Sequence, residues 1–375
     1  MEGSIIVHTL ELIQDIRDEE KIRSILSAFS FPVSKIQRLF SSNHSVALIS
    51  HKLSKTHEGL GMKKITVIRH SDTLQIGTIF YIILRIEPQM LLTHHRTTEL
   101  FYCSEENKQM LADEFHIAMN HFVDDISFPE LVELRNWNCR RLDYSVNLQL
   151  ENKEMAELFT KISKRTSKHV RRNDKRLPYA CKDQSAAEGN KSSKVLAYDK
   201  RKQIEKEYEG VPQATMQRLL EEAEGVVRFE LQMKKQKLQD IMRKECLESR
   251  NIMNFLNEDL SRRYLLKCYL EMIGSGDFYS LYHASKIINE SGYGQKKKEN
   301  LIHLLQGIAQ ARSVQNAERQ FINNGIHIKK TDIVVSGSKG TFYNRLKALE
   351  ELGINPVLIM KDSKVKHIRN PINQI

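Results

Sequence analysis

The chain has 375 residues, of which 40% are hydrophobic, so it is long enough to bury the core of one large domain or of two ordinary ones. Its formal net charge is +11 at neutral pH. A basic excess of this size favours a polyanionic partner, and nucleic acid is the commonest one. A basic protein that is merely soluble is the alternative.

The cysteines and the apolar runs exclude several classes of protein. Five cysteines are scattered along the chain without a Cys-x-x-Cys pair, which argues against a disulfide framework or a zinc knuckle and predicts free thiols. The first twelve residues lack a basic segment before an apolar core, so they do not form a secretory signal. No run of about 18 apolar residues occurs, so no spanning helix is predicted. Together these features predict a cytoplasmic protein without a membrane partner.

The first third of the chain is predicted to be rich in strands. Residues 4–10 and 64–68 are short runs of strand-forming residues. Residues 79–86 are almost continuously aliphatic and aromatic, as in a central strand. Pro88 ends that strand because proline has no N–H for a sheet ladder. Residues 105–123 then carry apolar side chains at helical spacing and predict a helix.

Between residues 140 and 200 the pattern predicts a strand, a helix and a second strand. Residues 140–148 alternate between apolar and polar side chains, and residues 153–165 have helical spacing. The small and polar residues 182–194 predict a loop that leads to a strand at 194–200. The helix runs into a basic segment, where phosphate binding and an inert loop are equally good explanations. Its basic side chains are Lys161, Lys164, Arg165, Lys168, Arg171, Arg172, Lys175 and Arg176.

The second half of the chain changes from strands to helices. Residues 226–234 alternate like a strand, and the segments beyond 235 have mainly helical spacing. One of these helices, at 339–352, has Lys339, Arg345 and Lys347 on its outer face, and a short strand is predicted after it at 354–360.

These elements predict an α+β protein. An N-terminal antiparallel sheet with helices packed on one face is expected over residues 1–240. A mainly helical domain with an accessory, DNA-binding role is expected over residues 241–375.

Three of the predicted strands carry polar side chains on one face and apolar side chains on the other. If they are neighbours in one antiparallel sheet, with helices covering the apolar side, their polar groups form one open platform. These groups are Asp143, Ser145 and Asn147 on the first strand, Tyr198 and Lys200 on the second, and Arg228, Glu230 and Gln232 on the third.

Tyr198 is the candidate nucleophile of this platform. A free tyrosine has a pKa of about 10, so only about one in a thousand is phenolate at pH 7. Lys200, on the same strand face as Tyr198, and a bound metal would favour the phenolate, whereas Asp199 points to the opposite face. Asp143 and Glu230 offer oxygen ligands that suit Mg²⁺ or Mn²⁺, which in turn bind substrate phosphate.

Each of these groups also has a plain structural explanation. A tyrosine in a strand is usually half-buried packing. Asp143 and Glu230 lie close to arginines in the sequence, and exposed ion pairs of that kind contribute under about 1 kcal/mol. The functional prediction therefore rests on the set rather than on any one residue.

The set resembles the replication initiators encoded by gene II of filamentous phages and the related rolling-circle initiators of phages and plasmids. The motifs that carry the resemblance are Arg-Leu-Asp at 141–143, Val-Leu-Ala-Tyr-Asp-Lys at 195–200 and Gly-Val-Val-Arg-Phe-Glu at 225–230. In this family the tyrosine of the Ala-Tyr-x-Lys run is taken as the nicking nucleophile, which is Tyr198 here. The similarity is good over residues 135–235, fair over 280–360 and faint before 80.

The resemblance implies a complete reaction cycle. Tyr198 would nick one strand of the double-strand origin of a phage or plasmid with Mg²⁺ assistance, remain joined to the 5′ phosphate and later religate the displaced strand. Arg228 and Lys200 would hold the scissile phosphate, while the basic segment and the C-terminal helices would grip the duplex. The implied partners are origin DNA, displaced single-stranded DNA, and a host helicase and polymerase in the bacterial cytoplasm.

One departure from other rolling-circle nickases concerns the metal. Many of those enzymes carry a His-hydrophobe-His motif, and none of the fourteen histidines here forms it. We therefore expect Asp143 and Glu230, rather than histidines, to bind the metal.

Two other functions stay open. The chain could be a sequence-specific DNA-binding regulator without catalysis, in which the helix at 339–352 reads a groove and Tyr198 is packing. A tyrosine recombinase that joins to a 3′ phosphate fits less well, because its Arg…His-x-x-Arg…Tyr arrangement is absent.

Overall fold

The structure, a computed structural model, describes residues 6–42, 44–53, 61–72, 77–123, 127–166, 185–189, 192–207 and 211–375. It has an α+β fold with an antiparallel sheet, which confirms the predicted class. Among the described helices, none has the length and apolar character that crossing a membrane requires.

The described strands and helices are numbered here in chain order. The strands are β1 (Ile6–Ile16), β2 (Val46–Lys52), β3 (Met62–Asp72), β4 (Gly77–Ile86), β5 (Phe101–Tyr102), β6 (Asn138–Gln149), β7 (Ser185–Gly189), β8 (Ser193–Asp199), β9 (Val226–Lys234), β10 (Phe278–Tyr279), β11 (Ile326–His327), β12 (Val334–Val335) and β13 (His367–Ile368). The α-helices are α1 (Glu19–Ala28), α2 (Val33–Ser41), α3 (Pro88–Thr93), α4 (Glu105–Asn120), α5 (Pro129–Val132), α6 (Lys153–Thr166), α7 (Lys200–Glu207), α8 (Gln213–Glu222), α9 (Lys235–Lys244), α10 (Ile252–Phe255), α11 (Glu258–Met272), α12 (Leu281–Glu290), α13 (Gln295–Ala311), α14 (Val314–Asn323) and α15 (Lys339–Glu351).

The chain forms two compact units that interleave along the sequence. The N-terminal unit comprises Ser4–Ser145 and Leu231–Arg263, and the C-terminal unit comprises Val146–Glu230 and Tyr264–Ile375. The chain passes from one unit to the other inside β6, inside β9 and inside α11. The expected division of roles at residue 240 stays a prediction.

The N-terminal unit contains the strands β2-β3-β4-β1-β6 in this order, and the neighbouring pairs are antiparallel. β4 pairs with β3 on one side and with β1 on the other, which confirms its predicted central place. Its side chains Ile82 and Leu84 are buried. Pro88 follows as the first residue of α3, where its missing N–H costs no hydrogen bond.

The C-terminal unit contains the end of β6 and the start of β9, in the strand order β6-β9-β8-β7. β7 and β8 are antiparallel, with Ser185 opposite Tyr198. Helix α6 lies against both strands. The ring of Phe159 in α6 also packs edge-on against Phe278 of β10, with 5.6 Å between the ring centroids.

The remainder of the C-terminal unit is mainly helical, as predicted, and α13, α14 and α15 pack on one another. The strand predicted at 354–360 is wrong. Ile354 pairs only through an isolated bridge to Asp277. Asn355 then accepts a hydrogen bond from the N–H of Val357, which turns the chain out of an extended path.

Candidate active site

Tyr198 lies at the end of β8, and its ring is partly exposed. Its hydroxyl donates a hydrogen bond to a carboxylate oxygen of Glu230 in β9. Two residues predicted for the site are thus in direct contact. A carboxylate that accepts the phenol proton is the kind of base that a tyrosine nucleophile needs.

Asp199 forms the turn from β8 to α7. Its Oδ1 accepts a hydrogen bond from the N–H of Lys202 at 3.1 Å, as an N-cap residue does. The side chain is buried, and its Oδ2 has no hydrogen-bond partner among the residues that the structure describes. Burial raises the pKa of the Asp199 carboxyl, and the hydrogen bond from Lys202 offsets part of that rise. Asp199 therefore fixes the turn that follows Tyr198.

The predicted position of Lys200 on the strand is wrong. β8 ends at Asp199, and Lys200 is the first residue of α7, so strand alternation does not extend to it. Its side chain is only 2% exposed, and its Nζ donates to Oε1 of Gln203 at 2.9 Å. Lys200 follows Tyr198 closely in the chain without sharing its strand face.

The expected open platform is also wrong for Arg228 and Glu230 of β9. Arg228 and Glu230 alternate along the strand and so share a face, but they are 1% and 3% exposed. Nε of Arg228 donates to Oδ1 of Asn147 at 2.9 Å, and Glu230 accepts from Tyr198. These contacts help satisfy charged groups that burial would otherwise destabilise.

Asp143 lies in β6 of the N-terminal unit and is 1% exposed. Nε and Nη2 of Arg141 donate to its two carboxylate oxygens at 2.9 and 2.6 Å. The ion pair considered from the sequence is therefore present, but its carboxylate is buried rather than exposed. Such two-point contacts fix the orientation of a carboxylate as well as its charge.

His8 is a neighbour of Asp143 that sequence reasoning missed. Val7 and Thr9 of β1 pair with Tyr144 and Asp143, so the register shifts at His8. A shift of this kind re-aims a side chain, and such irregularities recur beside active sites. A ring nitrogen of His8 lies within 4.8 Å of a carboxylate oxygen of Asp143. The sequence signal that could have identified His8 was a lone histidine within an apolar strand.

His8 and Asp143 offer one imidazole nitrogen and one carboxylate oxygen to a cation. Carboxylate oxygens suit Mg²⁺ and Mn²⁺, and an imidazole ligand shifts the preference towards Mn²⁺ and other transition metals. The donor atoms therefore fit a divalent cation. Glu230 provides a further carboxylate in the C-terminal unit, and the expected use of Asp143 and Glu230 as metal ligands stays a prediction.

Part of the predicted basic segment lies at the end of α6. Lys161 is exposed there, and Lys164 and Arg165 are half-buried. The other residues predicted for DNA binding in this segment lie outside the described residues. They are Lys168, Arg171, Arg172, Lys175 and Arg176.

Helix α15 carries the other residues predicted for DNA binding. Lys339 and Lys347 are exposed, whereas Arg345 is half-buried. Its guanidinium lies 5.3 Å from the ring centre of Phe321, and burial lowers its pKa. Nη1 of Arg345 is buried and has no hydrogen-bond partner within the described chain.

Arg345 belongs to a basic recess between α13 and α15. The recess has a volume of about 480 Å³ and is also lined by Lys296 and Lys297. Three cationic side chains in one recess carry the charge and the hydrogen-bond donors that a phosphate binds. The structure thus groups Arg345 with lysines of a neighbouring helix rather than with Lys339 and Lys347.

No family model matches this chain, and neither does any curated protein or solved structure.

Proposed function

We propose that this protein is a DNA nicking and closing enzyme that initiates rolling-circle replication of a phage or plasmid, with Tyr198 as its nucleophile. The observation that carries the proposal is the hydrogen bond from the partly exposed Tyr198 hydroxyl to Glu230. The hydroxyl is paired with a base, and the turn beside it is held by the Asp199 cap. The net charge of +11 suits a DNA substrate.

The proposed reaction is a balanced exchange of phosphodiester bonds. Oη of Tyr198 attacks the phosphorus and forms an O–P bond to the 5′ phosphate. The bond between phosphorus and the 3′ oxygen breaks, and that oxygen takes up a proton to leave as a 3′-hydroxyl. Glu230 accepts the phenol proton, which is necessary because a phenol with a pKa of about 10 is almost fully protonated at pH 7. Religation is the reverse reaction.

Arg228 and Lys200 are proposed to act by their charge. They are too buried to reach a large substrate directly, since only 1% and 2% of them is exposed. Positive charge near Tyr198 and Glu230 favours the phenolate and the phosphate that it attacks. Asn147 and Gln203 hold these two cations in place through the hydrogen bonds described above.

A divalent cation, Mg²⁺ or Mn²⁺, is part of the proposal. Asp143 and Glu230 are the proposed oxygen ligands, and His8 is added to them because its ring nitrogen lies within 4.8 Å of a carboxylate oxygen of Asp143. When bound, the cation would neutralise phosphate charge during the attack. Arg141 would keep the Asp143 carboxylate oriented through its two hydrogen bonds.

The rest of the chain is proposed to handle DNA. Residues 1–240 would carry the nicking chemistry, and the mainly helical residues 241–375 would hold the origin duplex through α15 and the basic recess at Arg345. The basic segment at 161–176 would add phosphate contacts. A host helicase and polymerase would use the nicked strand and its 3′-hydroxyl.

The test uses DNA that does not require a known origin. Purified protein is mixed with a random-sequence single-stranded DNA pool and Mg²⁺ or Mn²⁺, then denatured and separated to detect covalent label. A pool labelled at the 3′ end should label the protein, because the downstream fragment remains on the tyrosine. A pool labelled at the 5′ end should not, because that label leaves with the new 3′-hydroxyl.

Matched variants assign the reaction to its residues. Tyr198→Phe should abolish the label, and Glu230→Gln should reduce its rate by about 10²- to 10⁴-fold. Tyr102→Phe is the control, because Tyr102 also donates its hydroxyl to a glutamate, Glu258, in the N-terminal unit. It should label like the parent protein.

Three outcomes would contradict the proposal. Labelling by Tyr198→Phe would remove Tyr198 from the chemistry. Label retained from the 5′ end would indicate a 3′ phosphate link, as in a tyrosine recombinase. Tight DNA binding without any label would favour the non-catalytic regulator, for which the exposed cations of α15 are the supporting observation.

A further inference from the structure

A cavity of about 910 Å³ lies within the C-terminal unit, and none of the residues assigned to the chemistry above lines it. It is lined by the start of α12, the end of α13, Ser313 before α14, and residues 357–361. Its interior is apolar and includes Leu281, Ile308 and Leu358. This volume is in the range of pockets that enclose a small molecule.

Cationic side chains surround the cavity. Arg165 reaches it from the end of α6, and Arg312, Lys361 and Lys366 line it from the C-terminal part of the chain. The described lining contains no acidic side chain. Because cations line an otherwise apolar cavity, its occupant should combine an anionic group with an apolar or aromatic body.

Arg312 occupies a backbone position that favours a smaller residue. It follows the last residue of α13 with a φ of 64°, a left-handed conformation that usually takes glycine or asparagine. Its side chain is exposed at the cavity. The end of α13 thus places an exposed arginine at the wall of the cavity.

Tyr282 adds an aromatic surface to the lining. It is 75% exposed, far more than a tyrosine that only packs. One neighbour, His283, meets it edge-on at 5.3 Å between ring centres. Exposed aromatic rings beside cations are the usual platform on which unpaired bases stack.

We infer that this cavity binds one unpaired nucleotide of single-stranded DNA, with its base against Tyr282 and the apolar interior and its phosphate against Arg312 and the neighbouring lysines. A base in a duplex is stacked on both faces and paired along one edge, so it cannot enter a concave cavity. The inference rests on the proposed function, in which a single strand is displaced. It identifies where the protein would hold that strand.

The test measures binding without chemistry. Fluorescence anisotropy with a labelled oligothymidine and with a matched duplex is recorded on Tyr198→Phe protein in the presence of a chelator. In this background we compare Tyr282→Ala, Tyr282→Phe and Arg312→Gln. The control is Lys286→Gln, which removes a positive charge from an exposed lysine of the same helix α12 that does not line the cavity.

The expected effects differ between the variants. Tyr282→Ala should weaken oligothymidine binding by about 10- to 100-fold, since one stacked base is lost, whereas Tyr282→Phe should bind like its parent. Arg312→Gln should weaken it and reduce the salt slope by about 0.7, the value for one phosphate contact on a single strand. Lys286→Gln should change neither quantity, and the duplex should be insensitive to Tyr282→Ala.

Several results would overturn the inference. Unchanged oligothymidine binding by Tyr282→Ala would do so. Equal competition by inorganic phosphate and by thymidine monophosphate would also do so, because the cavity would then bind the anion without contacting the base. Circular dichroism of each variant checks that the fold is kept. A protein that fails the covalent labelling test but loses oligothymidine binding in Tyr282→Ala would refute the nickase and leave the cavity assigned.

Discussion

Asp199 allows the turn behind Tyr198 to be tested through stability as well as activity. The structure assigns two opposing effects to its carboxylate. Oδ1 caps α7 by accepting from the N–H of Lys202, while burial without a partner for Oδ2 among the described residues raises the carboxyl pKa. Asp199→Asn keeps the accepting oxygen and removes the charge, whereas Asp199→Ala removes both.

The magnitudes follow from these contacts. Loss of an N-cap costs about 1 kcal/mol, so the asparagine variant should be more stable than the alanine variant by about that amount at every pH. The raised pKa means that the folded protein binds a proton more tightly than the unfolded chain between 3.8 and the raised value. The stability of the parent protein therefore falls as the pH rises through that window. An asparagine side chain does not titrate and so loses no stability as the pH rises. Asp199→Asn should therefore gain stability relative to the parent protein across the same window.

Urea unfolding followed by circular dichroism at acidic and neutral pH measures both effects. With an m-value of about 3 kcal/mol per molar urea, the asparagine and alanine variants should differ in midpoint by about 0.3 M. The alanine variant should also label more slowly with DNA, because the turn beside Tyr198 is less well fixed. Equal midpoints for the two variants would refute the capping role. A pH-independent difference between the asparagine variant and the parent would refute the burial effect.

Three further predictions concern other parts of the chain. Gly225→Ala should destabilise the protein by about 2 kcal/mol or more, measured by urea unfolding, because φ is +70° and a Cβ would lie 2.6 Å from the carbonyl oxygen of Leu150; an unchanged midpoint would contradict this. A thiol reagent at pH 8 should modify exposed Cys246 in the folded protein, but should modify Cys103, whose pKa burial raises to about 12, only on unfolding; mass mapping of the modified peptides checks the order. His8→Ala should weaken Mn²⁺ binding in calorimetry by at least about tenfold, and unchanged affinity would exclude His8 as a ligand.

Elements with a strong local period could be predicted well from the sequence. The strand expected at 226–234 is β9 with the same bounds, and the helix expected at 153–165 is α6. Both have side-chain patterns that repeat over several turns or pleats. The stretch that contains α1, α2 and β2 gave no prediction, although Asp18 before two glutamates is a readable helix start and does cap α1.

The site was harder to predict, because its geometry depends on residues distant in the chain. Tyr198 and Glu230 were expected on one platform only if their strands are neighbours, and the sequence alone does not supply the pairing of β8 with β9 on which their hydrogen bond depends. His8 was missed because the register shift that re-aims it exists only in the pairing of β1 with β6. The end of β8 at Asp199, which removes Lys200 from the strand, is a boundary, and boundaries are where periodic patterns carry least information.

The interleaving of the two units has a consequence for how this chain is synthesised and cut. The N-terminal unit needs Leu231–Arg263, which the ribosome makes only after the whole of Val146–Glu230. It therefore cannot complete its fold during synthesis until part of the other unit has emerged. A truncation at residue 240 would remove most of that second segment, and it would also remove Tyr264–Ile375 from the unit that holds Tyr198 and Glu230, so the nicking activity should not survive in a protein shortened at that point.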